Sequence, residues 1–121
     1  MAEHNLLGNK GEMLAARYLL DSGFAIHEYN WRSGHKEIDL IAKERDTLVF
    51  IEVKTRRNEN YGDARETVTP QKMRNIVTAA EAYIKKKEID APIRFDIVAI
   101  VGNGETHEIE HIRDAFYPDI E

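Results

Sequence analysis

Charged side chains set inside apolar strands are the residues most able to do chemistry in this chain. Glu52 and Lys54 lie in Leu48-Val-Phe-Ile-Glu-Val-Lys-Thr55, a run of β-branched and aromatic residues that reads as a central strand. Alternation puts Phe50, Glu52 and Lys54 on one face and Val49, Ile51, Val53 and Thr55 on the other. A carboxylate and an ammonium therefore leave the end of a buried strand on the same side. Burying either charge alone costs roughly several kcal/mol, so something must offset it. The preceding apolar segment, Glu37-Ile-Asp-Leu-Ile-Ala42, repeats the pattern. Glu37 and Asp39 project from one face, with Ile38 and Leu40 on the other. In a hairpin with the next strand, Asp39 comes to lie beside Glu52. Two adjacent carboxylates repel unless a proton or a cation sits between them. With oxygen ligands and no cysteine, the natural cation is Mg2+ or Mn2+. Lys54, next to it, would stabilise developing negative charge or help position a water.

Each of these residues has a plainer reading when taken singly. Glu52 and Lys54 can form an ion pair across one face. Asp39 can accept hydrogen bonds from a turn, and Glu37 can be an exposed strand residue. The combination of an acid, then acid-x-lysine on the next apolar strand, favours function over these.

The elements that must position this set follow from periodicity. Leu7, Gly11, Leu14, Ala15, Tyr18 and Leu19 follow helical spacing from about Asn9 to Ser22, and Gly23 sits where a C-terminal cap belongs. Phe24–Tyr29 reads as a short strand. Lys43-Glu-Arg-Asp46 is short and polar, so the two acid-bearing strands form an antiparallel hairpin. After a polar loop from Arg57 to about Val68, Thr69-Pro70 opens a second helix, threonine as cap and proline at the first position. Met73, Ile76, Val77, Ala80 and Ile84 make its buried stripe, and Lys85-Lys-Lys87 suits its negative end. Arg94–Val101 is a buried strand and Glu105–Ile112 an edge strand, with a polar tail from about residue 113. Helix, three strands, helix and two strands give an α/β fold: a single domain over 1–121. The sheet is mixed, because the second helix allows a crossover to a parallel strand.

Composition removes several classes of function. The chain has 121 residues, enough for one domain with a core. Zero cysteines exclude a disulfide framework, a thiolate zinc site and a cysteine nucleophile. No apolar run approaches the roughly 18 residues of a membrane helix, and no secretory signal opens the sequence. A cytoplasmic protein without a membrane role is expected. The net charge of −5 argues against broad nucleic-acid binding. Lys54–Lys87, however, holds nine basic and four acidic residues. Such a basic segment beside acidic clusters suits a protein that holds cations and phosphates at one place. On charge alone, ordinary solvated surface is the preferred reading.

Asp39 … Glu52-Val53-Lys54, in this order of elements, resembles the PD-(D/E)XK nuclease superfamily with its restriction-endonuclease-like αβββαβ core. The closer resemblance is to the YraN family of endonuclease-like proteins. It rests on Gly8-Asn-Lys-Gly11-Glu12, Asn30-Trp31-Arg32, Glu37-Ile-Asp-Leu-Ile-Ala42, Phe50-Ile-Glu-Val-Lys-Thr-Arg56 and Arg94-Phe-Asp96, from about Leu7 to Val101. The resemblance implies that Asp39 and Glu52 ligate the metal, with the Val53 carbonyl as a third oxygen, and that Lys54 orients or activates the attacking water. It matches Glu12 to the helix-borne acid that some superfamily members add to the metal site. Equally, Glu12 can simply favour the helix N-terminus. The family usually has glycine before Glu-Ile-Asp. Lys36 stands there instead, where it could alter the turn or add a phosphate contact.

Around this set, Arg56, Arg57, Arg65, Lys72 and Arg74 form a basic rim able to bind phosphates. Gln71 and Lys72 can contact substrate or simply face solvent. Trp31 or Tyr61 can stack a base, though Trp31 reads better as packing. Asp96 reads as structural beside Arg94. His107 and His111, among Glu105, Glu108 and Glu110, read as charged surface. The leading expectation is a metal-dependent endonuclease on nucleic acid, DNA ahead of RNA, with a branched or flapped substrate left open. A homodimer or a protein partner would supply further binding surface. The competing expectations are a binding module on the same fold and a structural protein with an internal ion-pair network.

Overall fold

The computed structural model describes residues 10–56, 68–102 and 106–117. Along the chain these are α1 (Lys10–Asp21), β1 (Ala25–Ser33), β2 (Lys36–Glu44), β3 (Thr47–Arg56), α2 (Pro70–Lys87), β4 (Ile93–Gly102) and β5 (His107–Phe116). The strands form one sheet in the order β1-β2-β3-β4-β5. Only β3 and β4 are parallel; the other pairs are antiparallel. This is the mixed α/β sheet expected from the order of elements, with α2 as the crossover. Among the described residues, no helix is long and apolar enough to cross a membrane.

The helix signals act as read. Gly23 adopts φ 100°, a left-handed conformation open to glycine, and its N–H donates to Leu20 O at 3.1 Å to close α1. Thr69 Oγ1 accepts from Lys72 N at 3.1 Å, and Pro70 follows at the first helical position. Ile76, Val77 and Ala80 are buried, with Met73 and Ile84 partly so. This stripe, with Tyr83, packs on Ile38, Phe50, Phe95 and Ile97 on one face of the sheet. Ala15, Ala16 and Leu19 of α1 pack on Leu40, Val49, Ile51 and Val98 on the other. Phe50 and Ile51 therefore divide between faces as the alternation of β3 requires.

Three expectations need correction. β1 does not stop at Tyr29. It continues through Trp31, opposite Ile38, to Ser33, opposite Lys36, because the two-residue turn at Gly34-His35 returns the chain directly into β2. The tail expected from about 113 is still strand: β5 reaches Phe116, and Ala115 and Phe116 are buried, the latter stacked on Phe95 at 5.1 Å. Ile38 and Leu40 do not share a face. Ile38 belongs to the cluster under α2 and Leu40 to the cluster under α1. β2 turns about its own axis between them, at Asp39.

Candidate metal centre

The turn of β2 at Asp39 opens the sheet where the acids lie. The β2–β3 ladder runs from Glu44↔Thr47 to Leu40↔Ile51 and goes no further. Beyond it, Val53 N donates to Asp39 Oδ2 at 2.8 Å, so a side chain takes up the bond across the gap. Glu52 sits immediately before that N–H, and its side chain is only 5% exposed. Lys54 Nζ lies 3.9 Å from Glu52 Oε2. Lys72, in the first turn of α2, lies 3.8 Å from the same oxygen. Both distances are too long for hydrogen bonds, so the lysines act on Glu52 mainly through charge. Glu52 Oε1, the other oxygen, is buried, and among the described residues no donor reaches it; the Glu52 carboxyl as a whole also shares a hydrogen bond with that of Asp39.

The third acid comes from α1. Glu12 is buried in the first turn of that helix and accepts a hydrogen bond from the Asn30 side chain. Burial, then the charge of Asp39, pushes Glu12 up to about 7, against the downward pull of Asn30. Glu52 is pushed up to about 8, first by burial and then by Asp39, while Lys72 and Lys54 pull it down. Asp39 thus perturbs both neighbours. Even so, among the described residues no three acidic or histidine side chains are gathered closely enough to form a ready-made metal cage. Asp39 adjoins both Glu12 and Glu52, and the three are not ligands already closed on a centre.

The donor set suits a hard dication. It is all oxygen, and a carboxylate oxygen left buried without a donor is the kind of group that a cation compensates. Because the raised carboxyls hold protons near neutrality, binding a cation there would release them.

The basic rim is less open than its sequence suggests. The Arg56 side chain is 9% exposed, and its guanidinium pairs with Glu110 of β5 at 3.7 Å. Gln71 and Arg74 are tied to their own helix: Arg74 Nη2 donates to Gln71 Oε1, and Gln71 Nε2 donates to Asn75 Oδ1. Lys36 is half-buried at the start of β2. Arg57, Arg65 and Tyr61 lie outside the described residues. Trp31 packs edge-on against Tyr83 at 5.1 Å, as expected of a packing residue.

Two further groups carry more than the sequence suggested. His111 is not charged surface. Its side chain is 5% exposed, with Nε2 on Asp96 at 2.8 Å and Nδ1 on the Tyr18 hydroxyl at 3.0 Å. Asp96 is structural as expected, held also by both nitrogens of an Arg94 fork. Asn30 opens the Asn30-Trp31-Arg32 motif. It lies between the Leu40 and Ile38 partners on β1, so it faces Asp39, and it adopts φ 50°. Asparagine is among the few non-glycine residues that tolerate this conformation. The available signal was an asparagine inside an otherwise extended run, where its strand propensity is poor.

Asn30→Gly keeps the left-handed backbone and removes the amide, so Glu12 should titrate higher than in the wild type. Asn30→Ala should additionally lose about 1–2 kcal/mol, because alanine is strained at that φ. Carboxyl NMR titration and urea unfolding read the two effects. Wild-type titration of Glu12 in Asn30→Gly would exclude a positioning role.

A family model described as uncharacterised protein family UPF0102 matches residues 11–100, spanning every acid and lysine of the opening. A UPF0102 protein of Phocaeicola vulgatus is 48% identical over 120 residues, 99% of each chain. One of Bacteroides fragilis is 47% identical over the same share. One of Rhodococcus opacus is 51% identical over 116 residues, 93% of this chain and 98% of its own. The chain belongs to the uncharacterised protein family UPF0102.

Proposed function

We propose that this chain is a Mg2+- or Mn2+-dependent endonuclease of the PD-(D/E)XK kind, hydrolysing phosphodiester bonds of nucleic acid, DNA ahead of RNA. One observation carries the reading. Glu52 is buried beside Asp39 with one oxygen facing two lysines and the other, among the described residues, reached by no donor. The order of helix, three antiparallel strands, helix and parallel strand supports it.

Asp39 and Glu52, with Glu12 and the Val53 carbonyl, would hold the cation. When bound, it would neutralise charge on the scissile phosphate. Asp39 keeps the opening in shape through Val53 N. Lys54 orients the attacking water and offers positive charge to the phosphate. The water oxygen bonds to phosphorus in line, the bond to the 3′-oxygen breaks, and a 5′-phosphate remains. The water's proton leaves to solvent, and the 3′-oxygen takes one up from solvent.

The test is a cleavage screen over linear, flapped and branched DNA and RNA with each metal. Wild type should cleave. Lys54→Ala should lose on the order of 10²–10⁴-fold, and Glu52→Gln should lose all metal-dependent activity. Equal cleavage by all three would rule the mechanism out. The second reading, a binding module with weak or absent catalysis, draws on the Arg56–Glu110 pair, which withdraws one rim cation from substrate. It is the outcome if DNA binds and nothing is cut.

A further inference from the structure

We propose that Lys72 is a second substrate-contacting lysine, holding a non-bridging oxygen of the scissile phosphate from the side opposite Lys54. The proposal rests on the nuclease reading above and extends it from β3 to α2.

Lys72 is the third residue of α2, placed by the Thr69 cap and Pro70, so its position over β3 is fixed by the start of the helix. Its ammonium and that of Lys54 approach the same Glu52 oxygen, at 3.8 and 3.9 Å. Two ammonium groups thus converge on one carboxylate oxygen, while Asp39 is the acid beside the same group. Neither ammonium is within hydrogen-bond reach of the oxygen, so their directed donors are not used up by Glu52. The exposures show where they remain open: Lys72 is 43% and Lys54 32% exposed, while Glu52 is 5% exposed. The buried acid thus draws two solvent-reaching cations to the rim of the opening. An anionic oxygen that bridges them from the solvent side fits this arrangement. A phosphoryl group has such an oxygen, and it can turn another toward the acids.

The two oxygens of Glu52 then divide the work. Oε1 is left for a cation, while Oε2 gathers the lysines that meet the phosphate. A lysine serving only to offset the charge of Glu52 would behave differently on removal. It would leave phosphate affinity alone and change only how firmly Glu52 holds a proton or a metal.

The experiment compares wild type, Lys72→Ala and Lys72→Arg. Binding of a short fluorescein-labelled DNA duplex is followed against salt, with Ca2+ in place of Mg2+, and single-turnover cleavage is followed with Mn2+. Alanine suits an exposed helix position, so a thermal melt should show Lys72→Ala folded. Its salt slope should fall by about one phosphate contact. Its cleavage should fall on the order of 10²-fold with Mn2+ affinity undiminished, and Lys72→Arg should recover part of the binding. If wild type binds Mn2+ and cleaves while Lys72→Ala matches it in slope and rate, this proposal is overturned and the nuclease reading stands. If wild type neither binds Mn2+ nor cleaves, the nuclease reading fails and takes this role of Lys72 with it.

Discussion

Glu52→Gln is expected to make the metal-free protein more stable, and increasingly so as the pH rises from about 5 to about 9. Burial and the charge of Asp39 raise Glu52 from its ordinary 4.5 to about 8 in the folded chain. Below the unfolded value the carboxyl is protonated in both states and contributes no penalty. Between the two values the native state holds a proton that the unfolded state has released, so stability falls with rising pH. Above about 8 the folded carboxylate is ionised and its full desolvation cost is present. Glutamine never ionises, so the gain should reach on the order of 2–4 kcal/mol at the alkaline end. Glu12 is raised to about 7 and adds a pH dependence of the same sign that remains in the variant. Urea unfolding in a chelator at several pH values measures the difference. Parallel stability curves for the two proteins would mean that Glu52 carries no such penalty. A residue that destabilises its own fold and is nevertheless central to a strand is the behaviour of a site rather than of a core.

Asp96→Ala should be the most damaging single substitution to stability, at about 3–5 kcal/mol. Asp96 is fully buried, and its two oxygens accept from Arg94 at 2.8 and 2.9 Å, from His111 at 2.8 Å and from Asp114 N at 3.0 Å. Burial alone would raise its pKa. The His111, Arg94 and Asp114 hydrogen bonds outweigh burial and hold it below the usual carboxylate range. The register between β4 and β5 shifts at this point, between Phe95 and Ile97, and Asp114 turns to φ 57°. The carboxylate thus ties together a bulge in β5 that no ladder bond would hold. Removing it leaves Arg94 with Glu44 as its remaining carboxylate partner and takes from the buried His111 imidazole its Nε2 partner. Stability from Asp96 should be intact above its ordinary value of 3.8 and be lost as the pH falls through its depressed folded value. Thermal melts and hydrogen exchange at the C-terminal half of β5 test this. Asp96→Asn should lose less than Asp96→Ala. An Asp96→Ala protein as stable as wild type would show that the cluster does not hold β5.

Most of the scaffold was legible because its signals are local. Thr69-Pro70 and Gly23 mark helix ends through bonds within a few residues. The alternation in β3 assigns Phe50 and Ile51 to opposite faces without knowledge of any other strand. The nearness of Asp39 to Glu52 was legible as well, since a short polar turn between two apolar runs leaves few registers, although the ladder itself ends one pair before them. What was hidden depends on distant partners or on twist. Ile38 and Leu40 separate because β2 rotates where its ladder with β3 ends, and alternation alone assumes a regular strand. Asn30 takes a left-handed conformation that its neighbours on β2 and α1 give a purpose. His111 is buried by Tyr18, 93 residues earlier in the chain, and Arg56 is covered by Glu110 of a different strand. Charge in a sequence shows which residues are able to meet a phosphate, but not which of them another side chain has already engaged.

The central claim is the proposal that Asp39 and Glu52, with Glu12, would hold a divalent cation, and Mn2+ binding to the purified chain reads it without any substrate. Calorimetric titration near neutral pH, repeated in buffers of different ionisation enthalpy, should show saturable binding with proton release in wild type. Glu52→Gln should weaken that binding at least about tenfold, or about 1.4 kcal/mol. Wild type that takes up no Mn2+, or Glu52→Gln that binds it as tightly and with the same proton release, would contradict the account.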